Sequence, residues 1–231
     1  MGQAGDPDLL VKVLPGELSL ALDPAVFARE LMAVAGRLDH PQLVAPLGAG
    51  RAGTAVYHAR PFVEGTTLRA SLVRYGELPL RRAVAVLRDV LSALAQAHGA
   101  RITHGDLKAE NVLLVDERAL VADTGVVGAV ARALPGDGHG AATAALCAAP
   151  YVAPEHGGGP GDDMFAVGVL MHEMLTGKPP APDEPLEEAR SLPPWLTELT
   201  RRCLAADPGE RWPDAAAALA TVSRPSGGTA A

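Results

Sequence analysis

Short apolar runs come early in the chain, and long helical periodicities come later. The stretch DLLVKVL (8–14) is apolar and β-like and is closed by the Pro-Gly pair at 15–16. In LDPAVFARELMAVAGRLDH, the apolar positions Val26, Phe27, Leu31, Val34 and Leu38 recur at helical spacing. Asp23 fits the N-cap of that helix and Pro24 its first position. QLVAPLGAG and GTAVYHARPFV then read as two strands separated by Gly-rich turn residues.

The character changes after Gly65. PLRRAVAVLRDVLSALAQAHGA is a long amphipathic helix, with Val84, Leu87, Leu91 and Leu94 on one face and Gly99 as its C-cap. Short strand candidates surround Asp106 and Asp123. The Gly/Ala-rich segment ARALPGDGHGAATAALCAAP reads as irregular or mobile, and GGGPG (157–161) reads as a linker. From 162 the pattern is helical, with Pro-rich breaks at 179–185 and 193–194. SRPSGGTAA (223–231) reads as a disordered tail. The sequence contains no internal repeats. The order is a small β-rich part (1–65), then a mainly helical part (66–222), which is an α+β class of fold.

Composition narrows the function. The net charge is −7 and the pI about 5.5, so neither nucleic acid nor an anionic membrane is expected as the main partner. The longest apolar run, MFAVGVLMHEML (164–175), is too short to span a bilayer and carries a His and a Glu. No signal peptide is visible, and Cys147 and Cys203 form neither a metal spacing nor a disulfide framework. A cytoplasmic location is the expectation. Lysine occurs only at Lys12, Lys108 and Lys178 while arginine is abundant, so each lysine is a candidate for a site that needs a compact point charge.

Those lysines fit a phosphoryl-transfer constellation, which needs a carboxylate to orient the attacking hydroxyl and a cation beside the moving phosphate. It also needs oxygen ligands for Mg²⁺ and a lysine that braces the other phosphates. Within HGDLKAEN (104–111), Asp106 can be the carboxylate, Lys108 the cation and Asn111 a metal ligand. Asp123 in VADTG can be the second metal ligand. Lys12 in LLVKVL can brace the phosphates, with Glu30 as the ion-pair partner that holds it. The bland reading of an Asp-x-Lys triplet is a solvated turn; the ordered context argues against it. GDGHG (136–140) lacks the strand-turn-helix setting of a phosphate loop and reads as part of a flexible segment.

On these motifs the sequence resembles the protein kinase family, closest to the bacterial serine/threonine type, from Leu9 to about Val222. VKVL resembles the third strand of the small lobe with its ATP-contacting lysine, and FARELMAVAGRLDHPQLVAPLGAG the helix that follows. RPFVEGTTL is similar to the hinge, which places Phe62 and Val63 against adenine, with Leu113 on its other side. HGDLKAENVLL and ADTG resemble the catalytic loop and the metal-binding motif. APYVAPE resembles the end of the activation segment, and DDMFAVGVLMHEMLTGKPP the buried central helix. CLAADPGERWPDA resembles the last motif.

The resemblance implies a protein-kinase-like two-lobed fold binding ATP and Mg²⁺, with protein Ser/Thr hydroxyls as substrate or a regulated protein partner. It also implies a Glu155–Arg211 ion pair, an Asp163 that hydrogen-bonds the catalytic-loop backbone, and a structural His104. Several positions depart from the family pattern. The Gly-rich hairpin ahead of the lysine strand is missing, which implies a reduced N-lobe and weak or conditional activity. Leu10 stands where a small residue faces adenine, Gly105 replaces an arginine, Thr124 a phenylalanine and Ala149 a threonine. A pseudokinase acting as a nucleotide-binding or scaffolding module is the alternative. Aminoglycoside-phosphotransferase-like chemistry on small molecules is a second, opposed by Lys108, which is typically His in that family.

Overall fold

A computed structural model describes residues 8–155, 157–180 and 192–222. The tail and the Pro-rich stretch from 181 lie outside the described residues, and the readings made on them stop there.

Two small sheets frame the fold. The first is antiparallel with order β1-β4-β3, built from β1 (Leu9–Val13), β3 (Gly48–Ala52) and β4 (Ala55–Pro61). In its register Leu10 faces Arg60 and Lys12 faces His58. The second has order β2-β7-β6-β5, from β2 (Leu43–Val44), β5 (Thr66–Thr67), β6 (Val112–Val115) and β7 (Arg118–Ala122). Its β2 runs parallel to β7, so a strand from the early part of the chain is hydrogen-bonded to the later part.

Two helices accompany the first sheet. The helix α1 (Gly16–Ala21) was not apparent in the sequence. The next, α2 (Pro24–Ala35), starts where Asp23 accepts hydrogen bonds from the Ala25 and Val26 amides at 2.8 and 3.1 Å, with Pro24 at its first position, as the pattern predicts. Two further helices, α3 (Leu68–Tyr75) and α4 (Leu80–Gly99), lead into the large core. Gly99 is the last helical residue and Ala100 the cap, one position later than the sequence suggests.

The large core packs Leu87, Val90, Leu91 and Leu94 of α4 against Val167, Leu170, Met171 and Met174 of α7 (Pro160–Thr176). It is closed by α8 (Pro194–Cys203) and α9 (Ala215–Val222). Each of these side chains contributes about 1.5–3 kcal/mol by leaving water. Nearly every residue of α7 from Asp163 to Leu175 is buried, as expected of a central helix. No described helix is long and apolar enough to cross a membrane.

Much of the segment read as irregular (131–150) is helical instead: it holds the end of α5 (Val126–Ala133), a helix not identified from the sequence, and all of α6 (Gly138–Leu146). Alanine is the strongest helix former, and Asp137 caps α6 through the His139 amide at 3.3 Å, so glycine content alone misleads here. Val126, Val127, Val130 and Ala133 form one core with Leu14, Leu18, Phe27 and Leu31. The Asp23 amide also donates to the Ala133 carbonyl at 2.9 Å. Together these contacts wedge α5 beneath α2 and the first sheet. The GGGPG stretch turns at Gly158 and then starts α7 at Pro160.

Candidate active site

The turn 104–111 is held from below. Asp163, at the start of α7, accepts hydrogen bonds from the His104 amide at 2.7 Å, the Gly105 amide at 2.9 Å and His98 Nε2 at 2.9 Å. Because His98 Nδ1 accepts from the Ala215 amide at 3.2 Å, its Nε2 carries the proton. Burial alone would raise the Asp163 carboxyl, but His98, His104 and the Gly105 amide outweigh it and hold it below the ordinary value. His104 is fully buried and donates from Nε2 to the Ala122 carbonyl at 3.0 Å, while its Nδ1 accepts from the Asp106 amide at 3.2 Å. It is structural, as the sequence reading has it. Gly105 has φ +80°, and a Cβ there would meet Val127 Cβ at 3.1 Å. Backbone geometry and the packing of α5 therefore disfavour the arginine that the resemblance expects at this position.

On this platform Asp106 and Lys108 face each other at 2.6 Å. Asn111 Nδ2 donates to the Asp106 carbonyl at 2.8 Å and to its Oδ2 at 3.2 Å. Oδ1 of Asp106 is buried and has no partner. Burial pushes the Asp106 carboxyl above the ordinary value, against the opposing pull of Lys108 and Asn111. Asp123 sits at the end of β7 with φ +66°, a sparsely populated conformation held by its surroundings.

Lys12 reaches across from β1 and hydrogen-bonds both Asp123 Oδ2 and, at 3.2 Å, Asn111 Oδ1. Burial alone would raise Asp123, but the Lys12 ammonium, with the Arg60 guanidinium, holds it below the ordinary range. Lys12, Asp106, Lys108, Asn111 and Asp123 thus line one cavity of about 160 Å³, shared with His58, Val126, Val127 and Leu146. Asp123 and Asn111 present a carboxylate and an amide oxygen side by side, and Asp123 Oδ1 accepts no hydrogen bond, with Arg60 Nε 3.4 Å away. These hard oxygen donors suit Mg²⁺.

Glu30 is a correction. It does not meet Lys12: its Oε1 takes Arg29 at 3.1 Å and its Oε2 lies 3.7 Å from Arg132 Nε on α5. It lines a different cavity of about 480 Å³ with Val34 and Ile102. The wedge of α5 against α2 turns this face of the helix away from the lysine. Gly125, with φ +81°, starts α5 so close to α2 that a Cβ would lie 2.7 Å from Val34 Cγ1.

On the hinge side, Val63 packs against Leu113, Val44 and Ala122, whereas the Phe62 side chain is 55% exposed. Two features escaped the sequence reading. Arg60 is buried beside Asp123, and nothing in its strand pattern singles it out. Glu173 is fully buried and pairs with Arg69, which also takes Glu110 at 2.9 Å; the Tyr151 hydroxyl donates to Glu173. The expected pair of Arg211 with Glu155 is present, bidentate at 2.5 and 2.9 Å.

The model of the protein kinase domain matches residues 10–221. The chain is 37% identical over 213 residues to the serine/threonine-protein kinase PknL of Mycobacterium tuberculosis, covering 83% of this chain and 52% of that protein. It is 30% identical over 247 residues to PknB of Mycolicibacterium smegmatis, covering 94% of this chain and 38% of that one. The chain thus spans about half or less of the length of these relatives. Among solved structures, the kinase domain of M. tuberculosis PknI superposes with a TM-score of 0.69 at 23% identity, over 96% of this chain and 86% of that one. Rad53 1–466 in complex with AMP-PNP superposes with a TM-score of 0.70 at 23% identity, over 91% and 56%. The fold is kinase-like, and with residues 10–221 matched the chain belongs to the protein kinase family.

Proposed function

We propose that this chain carries protein serine/threonine kinase activity, moving the γ-phosphoryl group of ATP to a protein hydroxyl. One observation carries the reading: Asp106, Lys108, Asn111, Asp123 and Lys12 converge on one cavity. In the proposed step, the unpartnered Oδ1 of Asp106 orients the substrate hydroxyl and accepts its proton as the oxygen attacks the γ-phosphorus, whose bond to the β–γ bridging oxygen breaks to release ADP. Lys108 lies beside Asp106 and neutralises charge on the moving phosphoryl group. Lys12 braces the remaining phosphates after leaving Asp123. Asn111 and Asp123 would hold Mg²⁺, which supplies charge neutralisation along the phosphate chain. Val63 and Leu113 form the floor of the adenine side, with Phe62 at its rim.

The same geometry supports conditional activity. A cavity of about 160 Å³ is smaller than ordinary ligand sites of about 300–1,000 Å³. Val126, Val127 and Leu146 form part of its wall, and Lys108 donates to the Leu146 carbonyl at 3.1 Å. Segment 126–147 therefore has to shift before a nucleotide and a substrate fit together. Lys108 and the Glu155–Arg211 pair favour protein substrates over small hydroxylated molecules, because the small-molecule branch that the chain resembles has His at the former and lacks the latter motifs.

The test is transfer of labelled γ-phosphate to the protein itself and to Ser/Thr peptides, with Asp106→Asn alongside. A loss of about 10²–10⁴-fold is expected in the variant. Equal rates would remove Asp106 from the reaction, and no transfer from either protein under any condition would leave a binding module.

A further inference from the structure

Arg60 lies on β4 with its side chain 6% exposed. On a strand, residues two apart share a face, so Arg60 and the equally buried His58 point into the cleft together. A guanidinium cannot shed its proton, so a buried one needs a counter-charge. The carboxylate beside it is Asp123: Arg60 Nε lies 3.4 Å from Asp123 Oδ1. Neither atom has a hydrogen-bond partner; the contact is ionic and poorly aligned. The Arg60 head is otherwise tethered by Nη1 donating to the Pro61 carbonyl at 3.2 Å. Lys12 holds the other oxygen, Oδ2. Both oxygens of the metal-ligand candidate therefore already face a cation.

Charge decides what this does. Lys12, Arg60 and Lys108 are three cations facing two carboxylates, Asp106 and Asp123; Arg60 and Asp123 are buried, while Lys12 reaches the open cleft. A divalent ion entering alone adds positive charge to a site that already has an excess. A polyphosphate entering alone relieves that excess.

We propose that Arg60 acts as a resident cation on Asp123, weakening divalent-metal binding there and making nucleotide binding less dependent on Mg²⁺. The nucleotide half of this inference rests on the kinase reading; the metal half does not. Arg60 is here a positioning residue, acting through Asp123.

The experiment titrates the folded chain with Mn²⁺ alone, by calorimetry and by electron paramagnetic resonance of the free ion. Wild type is compared with Arg60→Met and Arg60→Gln, the second keeping a polar head should the first disturb folding. Each variant is checked by circular dichroism. At least a tenfold gain in Mn²⁺ affinity is expected in both variants, abolished when Asp123→Asn is added. ATP affinity is then measured in EDTA and in Mg²⁺. The ratio between the two is expected to stay within about threefold in wild type and to widen at least tenfold in the variants. Mn²⁺ affinity that is equal in all three proteins, or undetectable even in both variants, overturns the proposal. Failure of the kinase reading looks different: no ATP binding in either buffer, with the Mn²⁺ gain intact.

Discussion

Lys12 and Asp123 form a direct ion pair across the cleft, and Glu30 stands outside it, 3.7 Å from Arg132. The lysine is 41% exposed and the aspartate 7%, so the pair belongs to the wall of an open cleft. Solvent screening limits its worth for folding. Lys12→Met is expected to change unfolding free energy by no more than about 1 kcal/mol while removing ATP affinity. Urea melts and nucleotide titrations on the same variant check the two halves separately. A large loss of stability would mean that Lys12 is a structural residue.

Asp163 ties the 104–111 turn to α7 and α4 through His104, Gly105 and His98. Asp163→Asn loses the charge and turns an amide donor toward one of those donors. A cost of about 2–4 kcal/mol is expected, with loss of transfer. The sign of the pH dependence follows from the depressed carboxyl. Its stabilisation is complete above the unfolded value of about 4 and is lost as pH falls through and below it. Stability curves measured between pH 6 and pH 2 should therefore be flatter in Asp163→Asn than in wild type. A parallel pair of curves would contradict the assignment.

The Arg69–Glu173 pair is asymmetric. Glu173 is fully buried, whereas Arg69 is 30% exposed and keeps Glu110. Arg69→Met strands a buried carboxylate, with an expected cost of about 3–5 kcal/mol, while Glu173→Met leaves an arginine that water and Glu110 still satisfy. Denaturant midpoints should fall further for Arg69→Met. The reverse order would mean that packing around Glu173 outweighs its charge.

Cys147 donates from Sγ to the Gly105 carbonyl at 3.1 Å. Burial, with the Asp106 carboxylate beside it, pushes the thiol up to about 12. Alkylation by iodoacetamide at pH 8 is expected to be far slower than for an ordinary cysteine of pKa about 8.5, because little thiolate is present. Opening of segment 126–147 should accelerate it, so mass-spectrometric labelling with and without ATP reports that movement.

Much of this architecture was legible from residues alone. The Asp23 cap, the 3.6-residue period of α4 and the buried stretch of α7 are local signals that tertiary structure did not override. The resemblance supplied Asp163 and Glu155–Arg211, pairs that are remote in sequence and invisible to periodicity. What failed depends on packing. Glu30 lies on the expected helix, but which partner it meets is set by α5 (Val126–Ala133), a helix that the sequence analysis left unassigned between the Asp123 motif and the Gly/Ala-rich stretch from 131. The signal was present in Val126, Val127 and Val130, at helical spacing ahead of an alanine run. Arg60 left no such trace, since a strand pattern does not show which remote carboxylate a lone arginine meets.

The most direct test of the account is whether this cleft takes a nucleotide. Thermal unfolding of the chain with ATP at a hundred times its dissociation constant is expected to show stabilisation of about 2.7 kcal/mol, lost in Lys12→Ala. An unchanged melting temperature across the titration, or a shift that survives Lys12→Ala undiminished, would contradict it.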